Sequence, residues 1–429
     1  MKMKTVSLLV FACLFATVLY AETDKTVILR IASFSQVEDP EGPTERAIAE
    51  KFQKQNPGIK IEWIGVPSNE GTKKLIAWAA ADDLPDITMI NSSAYTLFHD
   101  MGIIRDLNKL LPAEFLSDFY PTILEEASVD GQLMVLPYQS MPVGILYRTD
   151  WLEETGLPTP ETWDDFRKVA KAMTKDTNGD GKIDRWGFAM LATRDDSAES
   201  RFSYIMDTFG IHLIFRDKNG QWQSGINTPQ FKEALKLFTD FSLKDGITPP
   251  GVLETSYSEA ANLIVAGKAG MILTGSNAIG TILKQNPSLK GKLGSFIVPK
   301  ALQHTSASRS LGFGITTACK NIDAAVAYLR FICENENLLT WNTATGRAPT
   351  KHSVEKAPQL NTKEMAGFIK GMQYIWPTQA FAGTSELYDV IGQAYQSILA
   401  GNATVDQAAA LASKRAAEVL ASYQTKSTK

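Results

Sequence analysis

The chain has 429 residues, of which 44% are hydrophobic and 21% charged. That composition excludes a disordered polypeptide, and the length excludes one ordinary core, so two domains are expected. A net charge of -4 and a pI near 5.8 exclude the basic footprint of a nucleic-acid binder.

Lys2 and Lys4 precede an apolar run from Val6 to Tyr20, and Ala21 stands before a polar stretch. This order reads as an export signal over residues 1–21, although Leu19 is large for its place before the cut; the run is short for a membrane anchor. Its removal takes both lysines and leaves a net charge of -6. No later apolar stretch has membrane-spanning length, so a soluble periplasmic or extracellular protein is expected. Cys13 in "VFAC" resembles a lipoprotein cleavage box, but apolar residues continue past it, so the lipid-anchored form is the lesser alternative. Cys319 and Cys333 lie at the two ends of a predicted helix over 321–333. A rise of about 1.5 Å per residue puts their sulfurs out of bonding range, and two buried thiols are expected.

From residue 27 the pattern alternates between strand and helix. "VILRIAS" reads as a strand, "GPTERAIAEKFQKQNPG" as an amphipathic helix with Pro43 near its start, "IKIEWIGV" as a strand, "NEGTKKLIAWAAADD" as a helix and "LPDITMIN" as a third strand. Such βαβ units predict a mostly parallel sheet that binds ligands where its strands open into loops. Pro137 and Pro142 interrupt the next strands, and new helices are predicted near Thr162 and Thr228. Thr162 with Asp165 forms an N-cap signature. Strands return at "AGKAGMILTGSN", "SFIVPKAL" and "LGFGITTAC", and the last stretch is helical throughout.

"DTNGDGKIDRWGF" at 176–188 places Asp176, Asn178, Asp180 and Asp184 at calcium-loop positions one, three, five and nine. The closing acid at position twelve is replaced by Gly187. The preferred reading is therefore a hairpin turn of Asn-Gly and Asp-Gly type, with calcium as the alternative and no other cofactor expected. Four histidines, His99, His212, His304 and His352, form no H-E-x-x-H, and there is no G-x-S-x-G. Carboxylate pairs for glycoside hydrolysis come from distant positions and stay open.

In order along the chain, "FQKQNPGIKIEW", "LIAWAAADDLPDITMIN", "MGIIRDLNKLL", "LPYQSMPVGILYRTDWLEETGLPTPETWDDF", "DTNGDGKIDRWGF", "VAGKAGMILTGSNAIG", "LGFGITTACKNIDAAVAYLRFI", "TGRAPT" and "ILAGNATVDQAAALASK" resemble the extracellular solute-binding proteins of ABC importers, in particular the carbohydrate-binding group. The resemblance covers nearly the whole chain after residue 21. It implies a two-lobed α/β fold of the type II periplasmic-binding kind, each lobe built on a mostly parallel sheet flanked by helices. One lobe would combine 24–139 with 314–362 and the other 144–310 with 365–429, joined by hinges near 139–144, 310–314 and 360–366. It implies a non-enzymatic, monomeric receptor that holds a sugar or oligosaccharide between the lobes and delivers it to the transmembrane subunits of a permease. The alternatives are an exported carbohydrate-active enzyme, a receptor for a glycerol-phosphate-like or other solute, and a calcium-dependent adhesive protein. In this family the "DTNGDGKID" turn is usually structural, with Trp186 and Phe188 packing the lobe.

The expected ligand contacts are Ser35, Gln36 and Glu38 after the first strand, Asn91 and Ser92 after the third, Tyr138 and Gln139 at the first hinge, and Glu199 and Arg201 in a polar loop. Against these stand plain alternatives: a solvated turn at 35–38, helix capping at Asn91 and Ser92, and an ion pair between Glu199 and Arg201. Asn277 stands in "TGSN" where sugar binders often place a stacking aromatic. Phe313 and Trp376 are the aromatic candidates in its stead, unless they are core. Arg309 is the candidate for an anionic ligand.

Overall fold

The computed structural model describes residues 26–68, 70–307, 310–376 and 381–424. The segment expected to direct export, with Cys13, and the candidate Arg309 lie outside the described residues.

The first lobe grows from β1 (Val27–Ser33), whose Leu29 and Ile31 are fully buried. β1 pairs in parallel with β2 (Ile59–Gly65) along its whole length, and on its other edge with β3 (Ile87–Asn91). Between β1 and β2 runs α1 (Glu41–Gln55), which buries Glu45, Ile48, Ala49 and Phe52. Those positions share one helical face, and Phe52 meets the edge of Tyr328 at 5.2 Å in the lobe's core. α2 (Gly71–Ala80) follows and inserts Leu75.

The chain leaves this lobe through β4 (Leu136–Gln139) and enters the second through β5 (Val143–Arg148). There β6 (Trp186–Phe188), β7 (Ala269–Gly275) and β8 (Leu293–Ile297) complete a sheet of order β8-β5-β7-β6. α3 (Trp163–Met173) packs on it, started by a capping box in which Thr162 and Asp165 satisfy each other's backbone N–H. β9 (Leu311–Ile315) then returns to the first lobe and inserts between β3 and β4, giving the order β2-β1-β3-β9-β4.

Both sheets are mixed rather than mostly parallel. β9 runs antiparallel to β3 and β4, and β5 runs antiparallel to β7 and β8. A strand that enters a sheet from the opposite lobe arrives at the end where a βα unit would leave it, so its direction is reversed. Of the hinge expected near 310–314, residues 311–314 lie in β9.

After β9 come α7 (Ile322–Ile332) and α8 (Asn335–Thr345). Between α3 and β9 the second lobe carries α4 (Asp196–Thr208), α5 (Tyr257–Val265) and α6 (Ala278–Gln285). The last crossing leads to α9 (Lys363–Gly371), which lies on β8. A Cβ at Gly367 would stand 2.3 Å from the Phe296 backbone, so only glycine permits that approach. α10 (Thr384–Leu399) and α11 (Val405–Gln424) finish the second lobe's core. Tyr120 and Ile123 of the first lobe meet Met365, Met372 and Ile375 in a small apolar cluster that joins the lobes.

Candidate functional site

A cavity of about 1000 Å³ lies between the lobes. One wall carries Pro40 and Glu41 at the start of α1 and Asn342, Gly346 and Arg347 at the end of α8; the other carries Asn277 and the first turns of α6. A second cavity of about 200 Å³ lies beside it in the second lobe, lined by Met141, Ser197, Arg201, Tyr257 and Asn277 among others. Asn277 touches both. The lobes are close here: a Cβ at Gly346 would stand 3.9 Å from the Ser276 carbonyl oxygen, and Ala348 N donates to the crossover's Ser140 carbonyl at 3.0 Å.

The wall's local chemistry explains its shape. Gly346 takes φ 68° as it ends α8, a left-handed conformation that costs glycine little, and this turn aims the next residue back at the lobe. Arg347 is 8% exposed; its Nη2 donates to Glu41 Oε1 at 3.0 Å and its Nη1 lies against Met141 Sδ. A Cβ at Gly275 would stand 2.7 Å from Asn277 Oδ1, so any larger residue there would push the Asn277 side chain aside. That side chain makes no capping hydrogen bond to α6 and stays exposed to the cavities. Arg201 lies 4.9 Å over the Tyr257 ring, whose hydroxyl meets Thr274 Oγ1 at 3.1 Å.

Buried polar atoms without a hydrogen-bond partner gather along this seam: Gln139 Oε1, Ser276 Oγ, Asn342 Oδ1 and Arg347 Nε. Each such group costs about 1–3 kcal/mol, which a structure tolerates chiefly where function uses it. Others, such as the Tyr138 and Tyr328 hydroxyls, lie in the first lobe's core.

The residues expected from sequence divide accordingly. Arg201 and Asn277 line the cavities, Gln139 ends β4 at the crossover, and Glu38 lies close enough to Glu41 and Arg347 to feel both charges. Burial, then Glu41, push the Glu38 carboxyl up, and Arg347 draws it down. Ser35 is buried under the β1–α1 loop and Gln36 is half-buried, with Nε2 on Glu45 at 2.6 Å. Asn91 Oδ1 accepts from Ser93 Oγ at 2.6 Å; Asn91 and Ser92 do not line either cavity.

Tyr138 and Phe313 are corrections. Both are fully buried in the first lobe, 5.5 Å apart, with Tyr138 4.6 Å from Trp341, because alternate residues of β4 and β9 point into that core. Glu199 and Arg201 lie on α4 rather than in a loop, and residues two apart on a helix face different sides. Glu199 is turned from the cavity against Gly392 of α10, where burial and then the Asp389, Asp196 and Asp195 charges push it up to about 7. Trp376 packs against His212 with tilted rings whose centroids are 4.3 Å apart, and donates from Nε1 to its Nδ1, within the second lobe.

The 176–184 segment is a nine-residue loop closed by an antiparallel bridge between Lys175 and Arg185, not a two-residue hairpin. Asp176 accepts from the amides of Asn178, Gly179 and Gly181, and Asp184 from Thr177. These bonds hold both carboxylates below their ordinary range, led by the Gly181 amide for Asp176 and by the Thr177 hydroxyl for Asp184. Among the described residues no group of three or more His, Cys, Asp or Glu is placed to hold a metal. Phe188 packs in the second core.

Glu41, Met141, Tyr257, Asn342 and Arg347 are site residues that the sequence did not single out. "TGRAPT" was visible as a motif, and its lone arginine beside a helix-ending glycine is the signal that was available for Arg347.

Comparison with known proteins agrees with this arrangement. The profile of the bacterial extracellular solute-binding proteins matches residues 37–338. A putative binding protein of Brucella abortus is 26% identical over 377 residues, covering 85% of this chain and 87% of that one. The polygalacturonan/rhamnogalacturonan-binding protein YtcQ of Bacillus subtilis is 31% identical over 242 residues, 54% of this chain and 47% of that one. Among solved structures, the sugar-binding protein MalE from Xanthomonas citri superposes with a TM-score of 0.81 at 20% identity, over 94% of this chain and all of that one.

Proposed function

Because this chain belongs to the family of bacterial extracellular solute-binding proteins, we propose that it is the receptor of an ABC importer for a sugar or oligosaccharide. The observation that carries this reading is the interlobe cavity of about 1000 Å³, walled by hydroxyls, amides and charged groups from both lobes. Its size and mixed polarity suit a ligand of several sugar units. The names of YtcQ and of the Xanthomonas MalE support the class of solute.

The solute shifts the lobes toward the closed form only by contacting both walls, since a ligand moves an equilibrium by its differential affinity for the two states. Hinge closure then presents a joined surface to the permease's transmembrane subunits. Export by residues 1–21 would bring a monomeric receptor, without catalytic activity, to the periplasm or cell exterior.

The test is a thermal-shift screen of the mature chain against maltotriose, raffinose, xylobiose, galactobiose, digalacturonate, mannitol and glycerol 3-phosphate, with chromatography of each mixture for products. A ligand at 100 times its Kd adds about 2.7 kcal/mol of stability. Stabilisation by a saccharide without turnover supports the receptor; product formation would assign an enzyme, and a response confined to glycerol phosphate would assign another solute.

A further inference from the structure

Glu45 is a buried acid set between the first lobe's core and the loop that leads into the cleft wall. Its Oε2 accepts from Gln36 Nε2 at 2.6 Å, and its Oε1 lies 3.1 Å from Ser33 Oγ. The Ser33 hydroxyl has a second acceptor for its proton, the Met89 thioether at 3.9 Å, and it also accepts from the Ser35 amide at 3.2 Å. A protonated Glu45 therefore completes a closed set of bonds: Oε2 accepts from Gln36, the hydroxyl at Oε1 donates to Ser33, and Ser33 donates to Met89. The ionised form can only accept, and these two neutral donors are poor compensation for a buried charge.

The groups around it do not supply a bonded cation. Arg46, whose charge acts on Glu45, is exposed and donates to Gln36 Oε1 at 2.9 Å instead. Glu41 stands one turn earlier on α1. From β4 and α7 come the Tyr138 and Tyr328 hydroxyls, both buried without partners, with Cys333 beside them. Burial and then the Glu45 charge push both hydroxyls up, and burial pushes the Cys333 thiol up to about 12, so all three stay neutral.

Resting on the sugar-receptor reading, we propose that Glu45 is a proton-controlled latch on the cleft wall: protonated it holds the 34–42 loop down on α1, ionised it loosens the loop, and solute is bound more tightly at lower pH. Gln36, half-buried between Glu45 and the exposed Arg46, is the cover that water must displace to reach the carboxylate. The loop then runs straight into the cleft. At Gly42 a Cβ would stand 3.0 Å from the Ser35 and Gln36 carbonyl oxygens, so loop and helix start are packed as one piece. Asp39, Pro40 and Glu41 line the cavity, and Glu41 accepts from Arg347 at 3.0 Å. A solute that fixes this wall favours the protonated acid, so binding takes up protons as pH rises through about 7.

The test is calorimetric titration of the mature chain with maltotriose, raffinose, xylobiose and galactobiose at pH 6 and pH 8, in buffers of different ionisation heat. Wild type is expected to bind about tenfold more weakly at pH 8, with an average uptake of about half a proton per solute. Glu45→Gln keeps the neutral shape and is expected to lose most of that dependence; Glu38, present in both proteins, cancels from the comparison. Amide exchange at 34–42 in the solute-free chain should be faster in wild type than in Glu45→Gln at pH 8, and alike at pH 6. Should Glu45→Gln fail to fold, Gln36→Ala decides, since it opens the acid to water in every state and is expected to flatten the pH profile at lower affinity. An affinity that does not fall toward pH 8, or that falls equally in the variant, overturns the latch and leaves the receptor reading standing. If none of the sugars binds at either pH, both fall.

Discussion

Gln36 Nε2 donates to Glu45 Oε2 at 2.6 Å, tying the loop after β1 to a carboxylate that is only 2% exposed. Burial pushes Glu45 up to about 7, against the pull of its bonds from Gln36 and Ser33 and the nearby Arg46 charge. A carboxyl whose folded pKa exceeds its unfolded value favours the protonated folded form. Its contribution is present at low pH and is lost as pH rises through about 7.

Wild type should therefore lose about 1 kcal/mol of stability from this group between pH 6 and pH 8. Glu199, also raised to about 7, and Asp207, raised by burial, act in the same direction. His212 and His304, lowered chiefly by burial, oppose them below their ordinary value of 6.5. Urea unfolding of wild type and Glu45→Gln at both pH values isolates the Glu45 share. Equal pH dependence in the two proteins would show that Glu45 does not titrate there.

Gly367→Ala should destabilise the second lobe by about 2–3 kcal/mol, because its new methyl group lands on the Phe296 backbone, which cannot move aside as a side chain does. Gly280 sits on α6 with nothing within 4 Å of a Cβ, so Gly280→Ala should gain about 0.5–1 kcal/mol from helix propensity alone. Thermal melts of the two variants are expected to move in opposite directions; a common direction would contradict the packing.

The loop at 176–184 should melt with the rest of the protein at the same Tm in calcium and in chelator, since Asp176 and Asp184 are held by the loop's own amides and hydroxyl. Asp176→Ala, which frees three amides, should lower Tm in both conditions alike. A rise in Tm on adding calcium would assign an ion to the loop instead.

Cys319 and Cys333 are free and buried, and burial pushes the thiols up to about 11 and about 12. A thiol-reactive chromophore should label neither in the native mature chain and both after denaturation. Rapid native labelling would mean that the first lobe opens more readily than its packing implies.

Much of the fold was legible because its signals are local. α1 announces itself by apolar positions at 48, 49 and 52, and α3 by the Thr162 and Asp165 cap. Strand direction was not legible, since reversal of β5 and β9 follows from crossings between lobes that no local pattern encodes. The site was harder still. Tyr138 and Phe313 look like ligand aromatics at strand ends, and only the three-dimensional packing turns them into the first core. Glu199 and Arg201 look like a sugar clamp until α4 (Asp196–Thr208) separates them. Glu41 and Arg347 are 306 positions apart, and a charge in the first turn of a helix reads as an ordinary surface acid until its partner is placed beside it.

The central claim, a solute held between both lobes, is tested most directly by hydrogen exchange of the mature chain with and without a saccharide that stabilises it. Protection is expected together at 35–42 and 342–348 of the first lobe, at the 139–143 crossover, and at 274–281 of the second. Protection confined to one lobe, or to the 176–184 loop, would contradict binding in the cleft.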